Sequence, residues 1–177
     1  MRLLARRFSM VSLLALACPS LLGACSSHDE TQGASPGLAA GGAGEEVSCT
    51  GDARVDVFEE GLAKTGDNGF TVMLESGDPE PPARGNNGWS VTVLDADGQP
   101  LSDVQLVVTA KMPDHGHMSP TTPEATMTDA DGKSSISKLD LFMAGVWFVD
   151  VSIMATAGGA ETAEPMDSVR FAFCVEG

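Results

Sequence analysis

The chain has 177 residues, and its 25 Asp and Glu outnumber 10 Lys and Arg to give a formal charge of −15. A surface of that sign excludes most nucleic-acid binding, which needs basic groups that displace counterions from phosphates. Tyr is absent, and only three His and four Cys are present, so residues able to carry chemistry are few.

Arg2, Arg6 and Arg7 form a basic start, and Phe8 to Ala17 is an apolar run too short for a membrane span. Pro19 breaks it. Leu22-Gly23-Ala24-Cys25 then resembles the bacterial lipobox, in which small residues let a signal peptidase reach the backbone and the Cys becomes an acylated N-terminus. The expectation is a lipoprotein signal over residues 1–24 and lipidation at Cys25. Several acyl chains there would hold the protein on a lipid membrane far more firmly than one. Loss of the three arginines takes the formal charge from −15 to −18. Ser26 follows the Cys, which by likeness to enterobacterial sorting points to the outer membrane of a bacterial cell envelope. Residues 25–46 are rich in Gly, Ala and Ser without an apolar period, the composition of a flexible tether.

Cys18 leaves with the signal and Cys25 is acylated. Cys49 and Cys174 remain in an oxidising compartment, where an isolated pair is expected to form a disulfide. The alternative is two thiolate metal ligands.

Residues 47–177 read as one β domain. Phe70, Val72 and Leu74 alternate with polar or smaller neighbours, as do Trp89, Val91 and Val93, then Val104, Leu106 and Val108. Trp147, Val149, Val151 and Ile153 follow, and then Val169, Phe171 and Phe173. Period two with β-branched and aromatic residues marks half-buried strands. Weaker strands fit Ala53–Phe58, Glu124–Thr128 and Lys133–Asp140. No stretch carries an amphipathic helix. The pattern predicts an all-β, immunoglobulin-like antiparallel β-sandwich of seven to eight strands.

Asp-Ala-Asp-Gly occurs twice, at 95–98 and 129–132. A calcium loop of the EF-hand kind needs further ligands that both copies lack. The other reading is a hairpin turn capped by Asp, with Gly at positive φ. If consecutive strands alternate in direction, both turns lie at one end of the sandwich. The loops 77–87, 111–123 and 141–145 then share the other end with Cys174, and with Cys49 if Ala53–Phe58 runs toward the turns.

The segment that carries chemistry is Met112-Pro-Asp-His115-Gly-His117-Met118. Imidazole and thioether together suit copper, with Met favouring Cu(I). Strand parity brings Met143 to the same end, so Met112, His115, His117, Met118 and Met143 form a candidate metal site. In the alternative, the methionines pack into the core mouth and the loop is a structural turn.

These motifs carry a family resemblance. Trp89 to Ile153 resembles the YtkA-like family of bacterial extracytoplasmic domains, related to FixH-like proteins. The shared elements are Val-x-Asp-x-x-Gly from Val93, Met-Pro-Asp-His-Gly-His at 112–117, Gly132 in a turn, and Met143-Ala-Gly-Val-Trp147 opening a strand. The resemblance implies an immunoglobulin-like sandwich. FixH-like relatives are linked to copper supply for respiratory oxidases, which implies a protein partner for metal transfer. They carry a membrane helix where this chain has a lipobox.

An enzyme is not expected. Hydrolysis needs a nucleophile with a base, or paired carboxylates in a cleft. The acids here are spread over turns and tether, and no nucleophile elbow, phosphate loop or HExxH element occurs.

Overall fold

The computed structural model describes Cys49, residues 51–155 and residues 165–177. The expected signal, the acylated Cys25 and the tether lie outside the described residues. Among the described residues nine strands run in chain order: β1 Ala63–Thr65, β2 Thr71–Asp78, β3 Gly85–Leu94, β4 Gln105–Met112, β5 His117–Met118, β6 Glu124–Ala125, β7 Lys133–Leu141, β8 Gly145–Met154 and β9 Asp167–Val175. One sheet has the order β1-β2-β3-β7-β6 and the other β5-β4-β8-β9. Every pairing is antiparallel. Among the described residues there is no helix. The all-β, immunoglobulin-like sandwich is therefore as expected.

The alternation sets which face is buried. Val72, Leu74, Trp89, Val91, Val93, Leu106, Val108, Trp147, Val149, Val151, Ile153, Phe171 and Phe173 all lie in one core between the sheets. A one-residue slip in any of these strands would turn its apolar set to water. Full burial of each large side chain stabilises the fold by about 1.5–3 kcal/mol. Phe58, Trp89 and Phe173 meet edge to face, with ring centroids 5.3 Å and 5.4 Å apart.

The strand count is nine where seven to eight were expected, because β1, β5 and β6 are ladders of only two or three residues. Residues 53–58, expected as a strand, form none. They share a single hydrogen-bonded rung with β9. The Asp56 N–H donates to the Ala172 carbonyl at 2.7 Å, while the Ala172 N–H donates to the Asp56 carboxylate at 2.8 Å. A side-chain oxygen thus takes the place of a backbone carbonyl, and the ladder stops there.

Both Asp-Ala-Asp-Gly segments form the same turn. Asp95 Oδ1 accepts the N–H groups of Asp97 and Gln99, and Asp129 Oδ1 accepts those of Asp131 and Lys133. These are Asx caps on hairpin turns, the second of the two sequence readings. The turns meet at one end of the sandwich. The Gly132 carbonyl accepts the Val93 N–H at 2.8 Å. Gly132 has φ +73°, and a Cβ there would stand 2.5 Å from the Val93 carbonyl oxygen, so only glycine fits.

At the opposite end a disulfide joins Cys49 to Cys174, with Cα atoms 5.6 Å apart. Cys174 lies across from Val146, near the start of β8. Strand parity therefore placed Cys174 correctly; the position of Cys49 rested on a strand at 53–58 that does not form, and it is the disulfide itself that brings Cys49 to this end. The thiolate-ligand alternative for the pair falls.

Candidate functional site

β4 delivers Met112 to the loop end, after Leu106, Val108 and Ala110 have pointed into the core. Met112 continues that series and is 1 % exposed. The chain then turns through residues 113–116 into β5. The pairs are Met112 with His117 and Lys111 with Met118. The Gly116 N–H closes the turn on the Met112 carbonyl at 2.9 Å. Gly116 has φ +67°, a conformation that side chains with a Cβ adopt at a cost.

Residues directly opposite in an antiparallel pair share a face. His117 therefore stands on the core face, above Met112. Met118 stands on the outer face with Lys111 and is 54 % exposed. It borders an open hollow of about 330 Å³ whose walls include Lys111, Phe148 and Arg170. The two methionines that flank the histidines in sequence are thus on opposite faces of the hairpin.

His115 and His117 are both exposed. Their ring centroids are 6.2 Å apart and their planes differ by 13°. His117 then meets Phe142 edge to face at 6.2 Å, and Phe142 meets Trp147 at 5.7 Å. The Trp147 indole N–H donates to the Met143 carbonyl at 2.9 Å, and Met143 is partly buried against the core. The histidine loop and the 141–145 loop are therefore neighbours, as strand parity requires.

Arg54 was not among the residues singled out from sequence. Its guanidinium donates to both carboxylate oxygens of Asp114, at 2.7 Å and 2.8 Å. It also donates to Asp52 from Nε and Nη2. This pairing holds the Asp114 and Asp52 carboxyls below the usual carboxylate range, Asp52 at about 2. The same two carboxylates keep the Arg54 guanidinium still more firmly protonated. Asp114 is thereby paired with Arg54, 60 residues away in sequence, at the tip of the loop that carries both histidines.

Among the described residues, no group of three or more His, Cys, Asp or Glu could hold a metal ion. A metal at this loop would rest on the two imidazoles and a thioether. Met143 is the methionine whose loop reaches His117; Met112 is occupied by packing, and Met118 faces away.

Residues 64–152, about half of the chain, match the YtkA-like family. The chain belongs to the YtkA-like family. The match opens at Lys64, well before the Trp89 where the motif resemblance began, and so takes in β2 and most of β1. No curated protein and no solved structure matches the chain significantly.

Proposed function

We propose that this YtkA-like chain is a lipid-anchored, extracytoplasmic protein of the bacterial cell envelope. It binds copper at the β4–β5 hairpin and passes it to a protein partner, with no catalytic activity of its own. His115 and His117 are the primary ligands and Met143 the thioether. Met112 and Met118 are set aside, the first by burial and the second by its face. The observation that carries this reading is the near-parallel pair of exposed imidazoles on a hairpin loop pinned at Asp114. Exposed ligands suit transfer by exchange, since a partner can approach one side of the ion while the protein still holds the other. Imidazole with thioether favours copper over the harder divalent ions. The basic start, short apolar run and Cys25 support the anchor.

The test is a Cu(I) competition titration on the purified protein, wild type beside His115→Ala/His117→Ala. One-to-one binding lost in the double variant is expected. Absence of binding, or binding indifferent to both substitutions, overturns the copper reading. One observation favours a second reading, a metal-free interaction module: Met112 serves the core and Met118 borders the outer hollow. In that case the hairpin is a structural turn and the acidic surface meets a basic partner.

A further inference from the structure

Cys49 and residues 51–58 have a role that the strand pairing does not explain. They belong to neither sheet, yet they are tied down at several points. Cys49 is bonded to Cys174 in β9. The Asp52 N–H donates to the Cys49 carbonyl, and the Val55 N–H donates to the Asp52 carbonyl, both at 3.1 Å. The Asp52 carboxylate accepts the Arg54 N–H at 2.9 Å as well as the guanidinium. Beyond Arg54, Asp56 holds Ala172 from the other side. Arg54 thus sits on a short arch between the disulfide and the Asp56 rung, and from there its guanidinium reaches across to Asp114.

Each step of this chain is a direct contact: Cys174 to Cys49, Cys49 to Asp52, Asp52 to Arg54, Arg54 to Asp114, and Asp114 next to His115 in the backbone. The arch has no ladder of its own, so the disulfide supplies its N-terminal footing.

We propose that Arg54 is a positioning residue for the His115/His117 loop and that its hold depends on the Cys49–Cys174 disulfide. A dithiol reductant donates two electrons and two protons. The S–S bond breaks, Cys49 and Cys174 become thiols, and the dithiol closes to a cyclic disulfide. Cys49 is then free to leave β9, the Arg54 fork loses its fixed origin, and the loop at 113–116 is released. Oxidation restores the arch and the fork. The coupling is reciprocal, because whatever the disulfide does for the fork the fork must do for the disulfide. The proposal deepens the copper reading only in making the loop a ligand loop; the mechanical link stands without metal.

The experiment is metal-free. Amide hydrogen exchange by NMR is followed on oxidised and dithiothreitol-reduced wild type and on Arg54→Ala and Arg54→Lys. The thiol–disulfide equilibrium of each is measured against dithiothreitol. Arg54→Ala is expected to speed exchange at Gly116 and His117 in the oxidised protein. Reduced wild type is expected to match it, and reduction of Arg54→Ala to add nothing further. Arg54→Lys keeps the charge but not the two-pronged donor, and is expected to behave as Arg54→Ala. The disulfide of Arg54→Ala is expected to be about threefold to fivefold easier to reduce. Unchanged loop exchange in Arg54→Ala or in reduced wild type overturns the proposal. So does loss of protection in β3 and β8 on reduction, since the disulfide would then govern the whole domain and not the loop. Because no metal is present, failure here is separate from failure of the copper titration.

Discussion

Met112 and His117 face each other across the β4–β5 hairpin, one sealed in the core and the other in solvent. The pair marks the point where packing ends and the candidate chemistry begins. A methionine that sequence alone would assign to a metal is, in the fold, the last residue of a buried row.

The two flanking methionines should therefore respond differently to truncation. Met112→Ala is expected to cost about 2–5 kcal/mol in denaturant unfolding, from lost transfer energy and the cavity left behind. Met118→Ala, on the exposed outer face, should change stability by less than about 0.5 kcal/mol. Copper affinity should survive Met112→Leu, a swap of similar volume.

Trp147 offers a native reporter. His117, Phe142 and Trp147 form a continuous edge-to-face series, so an ion on the histidines lies close to the indole. Cu(II) added at stoichiometric amounts should quench the emission of Trp147. The quenching should persist in Trp89→Phe and vanish in His115→Ala/His117→Ala.

The arch at Arg54 sets an acid limit. A carboxyl whose folded pKa is depressed contributes stability that is fully present above its unfolded value and lost as pH falls through the folded one. For Asp52 that window runs from 3.8 down to about 2, and the Asp114 carboxyl is lowered in the same direction by Arg54. The Arg54 Nε–H resonance should therefore hold its position from pH 7 to pH 4 and move only below that.

Asp167 staples the start of β9 to the turn before β2. Its side chain accepts the N–H groups of Asn68 at 3.0 Å and Phe70 at 3.1 Å, and the residue is 5 % exposed. Asp167→Ala removes the acceptor that both N–H groups share and is expected to cost about 1–3 kcal/mol in all. Gly66→Ala should be destabilising for a matching reason, because a Cβ there would fall 2.2 Å from the Asp167 carboxylate. Thermal unfolding of the two single variants and the double variant measures whether they share one contact.

Period-two burial was legible because the two sheets enforce it. At Val91 or Val151 a side chain either enters the core or meets water, and the sequence records which. The same rule misled at residues 53–58. Val55 and Val57 alternate, yet Val57 is 76 % exposed, because the Asp56 carboxylate intercepts the next rung. β1 left no signal, since three residues are too few to show a period. The faces of Met112 and Met118 depend on the hairpin register, one residue either way reversing them, and that register is fixed by a four-residue turn that composition does not announce. Arg54 was out of reach for a different reason. Its partner is 60 residues away, and nothing local to either residue points to the other.

The sheet edges carry a further consequence. Three of them end in β1, β5 and β6, each only two or three residues long. The fourth is β9, and Asp56 occupies both the N–H and the carbonyl of Ala172 near its middle. A long bare strand is what lets one copy extend its sheet into the next. Short edge strands and a blocked rung are the means by which β proteins discourage sheet extension between copies.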